Sequence, residues 1–70
     1  MIIKIEQIMY DFKLRKIIAY CNNAIYVFCS KERRDTIFPR NIWIEITDAE
    51  VETLDRIDIA RMIGGKVSEE

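Results

Sequence analysis

The chain has 70 residues, half of them hydrophobic and a third of them charged, with a formal net charge of −1 at pH 7. This composition excludes intrinsic disorder, and a chain of this length forms one domain with a small core. It contains no histidine, the commonest catalytic base. It also has no run of eighteen uncharged apolar residues, so we expect no membrane span. We predict a single domain, residues 1–70.

Charge is unevenly distributed along the chain. Residues 1–46 contain eight Lys and Arg against five Asp and Glu, whereas residues 47–70 contain three against seven. This asymmetry bears on partners rather than on fold. Lys4 and Glu6 interrupt the apolar start of the chain, so no signal peptide is expected. Two cysteines are too few for a disulfide scaffold, and we expect the protein to be cytoplasmic.

The first residues of the chain predict a strand. Apolar and charged side chains alternate over residues 2–9, as they do in a half-buried strand. Around Tyr10–Lys13 the chain either turns, which Asp11 favours, or continues as one longer strand. Both interpretations stay open, because the alternation of apolar and polar residues extends as far as Leu14.

Residues 16–29 predict a β-hairpin around Asn22–Asn23, because asparagine tolerates the positive φ that a two-residue type I′ turn requires. The predicted register pairs Cys21 with Ala24, Ala19 with Tyr26, Ile17 with Phe28, Tyr20 with Ile25 and Ile18 with Val27. Both faces of this hairpin are apolar, although an antiparallel sheet commonly has one polar face. Cys21 and Cys29 point to opposite faces, so we expect two buried free thiols.

The segment Ile42–Ile46 predicts another strand, and the residues after it predict a helix. Thr47 and Glu50 have the spacing of a capping box, in which each side chain accepts the backbone N–H of the other residue. Ile46 and Val51 flank this box and match a hydrophobic staple. The pattern therefore predicts a strand followed directly by a helix.

Gly64–Gly65 predicts the end of the helical segment, since glycine readily adopts the left-handed conformation of a helix C-terminus. Its interior leaves two alternatives, because Asp55 and Asp58 fall on the apolar side. The segment forms either one bent helix or two consecutive helices with a break near Ile57. In the second case Asp58 caps the second helix and Ile57 packs against Met62.

The predicted fold class is α+β, a small antiparallel meander of three or four strands with a C-terminal helix packed on one face. A single helix covers only one face of such a sheet. The uncovered side chains are then either Ile18, Tyr20, Ile25 and Val27, or Ile17, Tyr26 and Phe28. Because monomers rarely expose such a patch, we predict a homodimer or a protein partner. Alternatively, the N-terminal strand curls over the hairpin and closes a small barrel.

No group of residues predicts catalysis. The serines and threonines lack the neighbouring base that an activated nucleophile requires. Without histidine, Cys21 and Cys29 cannot complete a four-ligand zinc site on their own. Gly64–Gly65 follows a helix instead of preceding one, so it does not match a phosphate-binding loop. We expect no enzymatic activity, no metal and no small-molecule cofactor.

The basic segment Lys31–Arg40 is the strongest functional candidate. Its positive charges and nearby aromatic rings suit the carboxylates of a protein partner or the phosphates and bases of a nucleic acid. Alternatively, the segment is a solvated loop without a binding function, in which the basic side chains pair with Glu32 and Asp35. The predicted partner-binding residues are Lys31, Arg33, Arg34, Phe38, Arg40, Trp43, Tyr20 and Tyr26.

These observations predict a non-enzymatic protein-binding module, a regulatory adaptor or inhibitor of a larger macromolecular partner. The near-neutral total charge favours this function over the alternative, a small nucleic-acid-binding regulator that uses Lys31–Arg40. Small chains of this form are frequent in phages and mobile elements, so size alone suggests a viral origin.

Overall fold

The computed structural model describes residues 2–34 and 41–67. In chain order the elements are β1 (Ile2–Ile3), β2 (Ile5–Asp11), β3 (Lys16–Cys21), β4 (Ala24–Cys29), a 3-10 helix (Lys31–Arg33), β5 (Ile42–Glu45), a second 3-10 helix (Ala49–Glu52), α1 (Arg56–Ile63) and β6 (Lys66–Val67). Strands β2, β3, β4 and β5 form a four-stranded sheet in that order. A separate short pair joins β1 to β6. The mostly antiparallel sheet and the C-terminal helix confirm the α+β prediction.

The β3–β4 hairpin has the predicted turn and register. Asn22 and Asn23 have φ angles of 50° and 64°, the positive values of a type I′ turn. All five predicted residue pairs are present. Asn22 has a further role, since its Oδ1 accepts the Lys4 N–H at 3.0 Å and its own N–H donates to the Lys4 carbonyl at 3.2 Å. The turn therefore also anchors the connection between β1 and β2.

The chain turns between β2 and β3 instead of continuing as one strand to Leu14. Strand β2 extends to Asp11, and the turn follows at residues 12–15, slightly later than the turn predicted around Tyr10–Lys13. Asp11 Oδ1 accepts the Leu14 N–H at 2.9 Å, and Arg15 adopts a positive φ of 54°. Lys4 also separates the predicted first strand into two pieces, β1 and β2.

The last strand pair differs from a simple meander. Strand β5 pairs with β4 in the parallel direction, with Val27 beside Trp43. Residues 30–41 separate the two strands, and a connection of about a dozen residues is long enough for a parallel crossover. In the described part of the chain, β2 and β5 are the edges of an open sheet, so the sheet does not form the small barrel.

The predicted capping box is present at the end of β5. The Thr47 N–H donates to Glu50 Oε1 at 2.8 Å, and the Glu50 N–H donates to Thr47 Oγ1 at 3.3 Å. Ile46 and Val51 are both buried in the core, as the staple requires. The box begins a short 3-10 helix, however, rather than a long α-helix.

The helical segment forms two consecutive helices and not one bent helix, so the second of the two predicted alternatives is confirmed. The cap of α1 is Asp55 and not Asp58. Asp55 Oδ1 accepts the Asp58 N–H at 2.9 Å, and Asp58 Oδ2 accepts the Asp55 N–H at 3.2 Å. The predicted packing of Ile57 on Met62 is wrong. With Asp55 as the cap, Ile57 lies in the exposed first turn and is 52% exposed, while Ile59 faces the core.

The Asp55 cap depends on its negative charge. The Asp58 backbone N–H, the largest influence, holds the pKa of the Asp55 carboxyl below its ordinary value. Because the pKa of Asp55 is lower in the folded chain, the ionised cap stabilises the fold fully at pH values above the ordinary carboxyl pKa. This stabilisation is lost as the pH falls through the lowered pKa and the carboxylate becomes protonated.

The core lies between one face of the sheet and the helical segments. Ile17 and Phe28 on the central strands pack with Val51 and Ile59, all of them fully buried. The other members of this buried cluster are Ile3, Ala19, Cys21, Ile46 and Ala60. Helix α1 therefore covers the sheet face that carries Ile17 and Phe28.

Gly64 ends α1 in the predicted left-handed conformation, with φ 102° and its N–H donating to the Ala60 and Arg61 carbonyls.

Gly64→Ala should lower the free energy of unfolding by about 1 kcal/mol, because a Cβ disfavours positive φ. No atom lies within 4 Å of the added Cβ, so the cost is conformational. Urea unfolding measures this loss of stability, which should be smaller for Gly64→Asn. Equal stability of wild type and Gly64→Ala would contradict the left-handed conformation of Gly64.

Thr47→Ala removes one half of the capping box and should lower the free energy of unfolding by about 1 kcal/mol. Thr53→Ala is a matched control, since the Thr53 hydroxyl makes a long 3.4 Å bond to the Glu50 carbonyl. Chemical denaturation compares the two variants. A loss no larger for Thr47→Ala than for Thr53→Ala would show that the box does not stabilise the fold.

Candidate binding surface

The sheet face opposite α1 has no described element packed across it, and we call it the open face. Paired residues of neighbouring strands share a face. The described side chains of this face are Gln7, Met9, Asp11, Lys16, Ile18, Tyr20, Ile25, Val27, Cys29, Trp43 and Glu45. The structure therefore selects the first of the two predicted uncovered sets.

An apolar row crosses the open face on all four strands. Met9 on β2 lies beside Ile18 on β3, Ile18 beside Val27 on β4, and Val27 beside Trp43 on β5. Met9 is 47% exposed and the other three side chains are half-buried. The row is therefore contiguous, and most accessible to water at its β2 end.

The residues on either side of the apolar row differ in polarity. Towards the Cys29 end of the sheet, Asp11 pairs with Lys16 and Cys29 pairs with Glu45, so charges of both signs border the row. On the other side Tyr20, 37% exposed, lies between Gln7 and Ile25. The open face thus combines an apolar centre with a mixed polar border.

Trp43 links the open face to the basic segment. The Arg34 guanidinium lies over its ring at 4.5 Å from the centroid, a cation–π contact. The indole Nε1–H donates to the Cys29 carbonyl at 3.1 Å. These two contacts hold the Trp43 ring in place and put the Arg34 charge beside the apolar row.

Both cysteines are buried free thiols, as predicted, one on each face of the sheet. Burial raises the pKa of the Cys29 thiol, although the Trp43 N–H and the charges of Lys16, Arg34 and Arg33 act in the opposite direction. Burial, with a smaller effect of Glu6, raises the pKa of Cys21. Both side chains therefore favour the protonated form and pack as small apolar groups.

Arg33 is held by an acidic partner at the start of the helical segment. Its Nε donates to Asp48 Oδ1 at 2.9 Å. This hydrogen bond lowers the pKa of Asp48 and raises the pKa of Arg33. Part of the positive charge of the basic segment is therefore matched within the chain. The pair borders a shallow depression.

The predicted site residues occupy several places. Arg34 and Trp43 are in contact, and Tyr20 shares the open face with them. Tyr26 lies on the opposite face, half-buried against the core. Lys31 and Arg33 lie in the first 3-10 helix, and both are exposed. Phe38 and Arg40 lie outside the described residues.

Sequence reasoning did not identify Met9 as part of the site. Its place in the row depends on the β2–β3 register, which in turn depends on where the chain turns after Asp11. The alternation of residues 2–14 alone does not locate that turn. The acidic partner of Arg33 was also missed, since fifteen positions separate Asp48 from it.

Among residues 2–34 and 41–67, no group of three or more cysteine, aspartate or glutamate side chains could hold a metal ion. No helix in this part of the chain is long and apolar enough to cross a membrane. Comparison with protein-family models, with curated proteins and with solved structures found no significant match. Function is therefore inferred from geometry and chemistry alone.

Arg34→Ala should expose the ring of Trp43, the single tryptophan of the chain, and cost about 0.5 kcal/mol of stability. We expect red-shifted emission and stronger acrylamide quenching. Arg33→Ala is the matched control, because it removes the Asp48 pair and should leave the emission unchanged. Identical spectra for wild type and Arg34→Ala would show that the guanidinium does not cover the ring.

Proposed function

We propose that this chain is a non-enzymatic protein-binding module that docks a larger partner on its open face, as an adaptor or an inhibitor. One observation carries the proposal: the apolar row Met9–Ile18–Val27–Trp43 crosses all four strands on the face that α1 does not cover. Monomeric proteins rarely expose large contiguous apolar patches, and such patches commonly mark interaction sites.

The side chains around the row are of the types that dominate binding energies. Tyrosine, tryptophan and arginine are enriched among interface residues whose truncation costs most. Tyr20, Trp43 and Arg34 are all on or over the open face. One hydrogen bond and one cation–π contact orient Trp43 before binding, which reduces the side-chain entropy lost when a partner docks.

The charges around this surface favour a protein over a nucleic acid. Asp11, Lys16 and Glu45 border the row with both signs, and this pattern supports orientation of a protein partner. A phosphate backbone requires a net positive surface. Arg33 is already paired with Asp48, and Arg34 covers the Trp43 face on which a base would stack.

The two cysteines support action in the cytoplasm. Cys21 and Cys29 are buried on opposite faces of the sheet and carry free thiols. Free thiols of this kind suit a reducing compartment. We therefore propose that the chain acts in the cytoplasm and has no enzymatic activity.

Affinity capture from a nuclease-treated cell extract tests the proposal. Wild type should retain a defined protein, and Tyr20→Glu should reduce its recovery at least tenfold, because a hot-spot residue contributes about 1.4 kcal/mol or more. Ile57→Glu is the matched control, since it adds the same charge at an exposed site on α1 and should leave recovery unchanged.

Two outcomes would contradict this function. Equal capture by wild type and Tyr20→Glu would remove the open face from the interaction. Nucleic-acid binding would be established instead if the protein is captured from an untreated extract but not from the nuclease-treated one. The affinity of the chain for an oligonucleotide should then fall steeply as the salt concentration rises.

A further inference from the structure

Exposed apolar side chains concentrate at the end of β2 and in the turn that follows it. Met9, Tyr10, Phe12 and Leu14 are all exposed within six consecutive residues. Tyr10 and Phe12 stack with ring centroids 5.9 Å apart, and the Tyr10 hydroxyl donates to the Leu54 carbonyl at 2.9 Å. This apolar segment is therefore held in place at the end of β2, a seven-residue strand that is an edge of the sheet in the described part of the chain.

From Gln7 to Asp11, strand β2 lacks the proline, lysine and bulge that commonly prevent an edge strand from pairing with another chain. Its residues Ile5–Asp11 contain neither proline nor lysine. The irregular pairing with β3 is confined to its start, between Ile5 and Gln7. From Gln7 to Asp11 the pairing is regular, so the outer edge of this part is suited to strand addition.

The side chains of this part are complementary to themselves. A two-fold axis perpendicular to the sheet pairs β2 with β2 of a second copy in the antiparallel direction. If the axis passes through Met9, Met9 faces Met9 of the second copy and Ile8 faces Tyr10. Gln7 then faces Asp11, an amide donor opposite a carboxylate. From Gln7 to Asp11, each side chain therefore gains a compatible neighbour.

The neighbouring registers lack this complementarity. An axis through Ile8 places Met9 opposite Gln7 and Ile5 opposite Asp11. An axis through Tyr10 places Met9 opposite Asp11. Both registers bring an apolar side chain against a polar or charged one, which selects the register centred on Met9.

We infer that two copies of this chain form a symmetric dimer through the outer edges of β2, with Met9 at the two-fold axis. The two four-stranded sheets then join into one continuous sheet, and the apolar row of each copy continues into the other through Met9. Both α1 helices lie on the same side, so the open faces remain available together. This inference does not depend on the proposed function.

Sedimentation equilibrium at micromolar concentrations tests the dimer. Wild type should have twice the 8.3 kDa mass of the chain. Met9→Asp places two like charges at the axis and should weaken dimerisation at least tenfold. Ile57→Asp and Tyr20→Glu, which change α1 and the open face, should remain dimeric. A wild-type monomer at high micromolar concentration would overturn the inference, as would a dimer that Tyr20→Glu disrupts and Met9→Asp does not.

Cysteine cross-linking tests the register in chains that remain folded. Directly opposed residues of antiparallel strands have Cα atoms about 5 Å apart, within reach of a disulfide. Met9→Cys should therefore form a covalent dimer rapidly under mild oxidation. The Cα atoms of two Gln7→Cys copies would be about 14 Å apart, so this variant should not cross-link. Wild type, whose cysteines are buried, is the background control. Faster cross-linking of Gln7→Cys would overturn the register.

Discussion

The surfaces described above depend on one constraint, the register of the β3–β4 hairpin. The Asn22–Asn23 turn places Ile17 beside Phe28 on one face and Ile18 beside Val27 on the other. A shift of one residue would exchange these two faces. Because α1 packs only against the first face, the turn determines which apolar side chains are buried and which remain for a partner.

Features that depend on neighbouring residues could be predicted from the sequence. The hairpin register, the Thr47–Glu50 capping box and the left-handed Gly64 all arise from contacts within a few positions of the chain. Alternation along the strands placed Tyr20 on one of the two candidate uncovered faces and Tyr26 on the other, whereas Trp43 was proposed because it lies near the basic segment. The α+β fold follows from these local elements and their order.

Features that depend on distant residues could not be predicted in the same way. The parallel pairing of β4 with β5 depends on how the chain returns after Cys29, and local periodicity does not report this. The contact of Arg34 with Trp43 and the place of Met9 in the apolar row follow from that pairing and from the β2–β3 turn. The sequence predicted Asp58 as the cap of the second helix, whereas Asp55 caps it, and the helix that begins there buries Ile59 in the core.

The open face and the β2 edge meet at Met9, so one arrangement of strands accounts for both proposed interactions. The most direct test of this arrangement is a methyl and aromatic NOESY spectrum of the free protein. We predict contacts from Met9 to Ile18 and from Val27 to the Trp43 ring, with none from these groups to α1. Contacts between Ile59 and Val27 or Trp43 would contradict the account, because they would show that the helix covers the face from which both interactions are inferred.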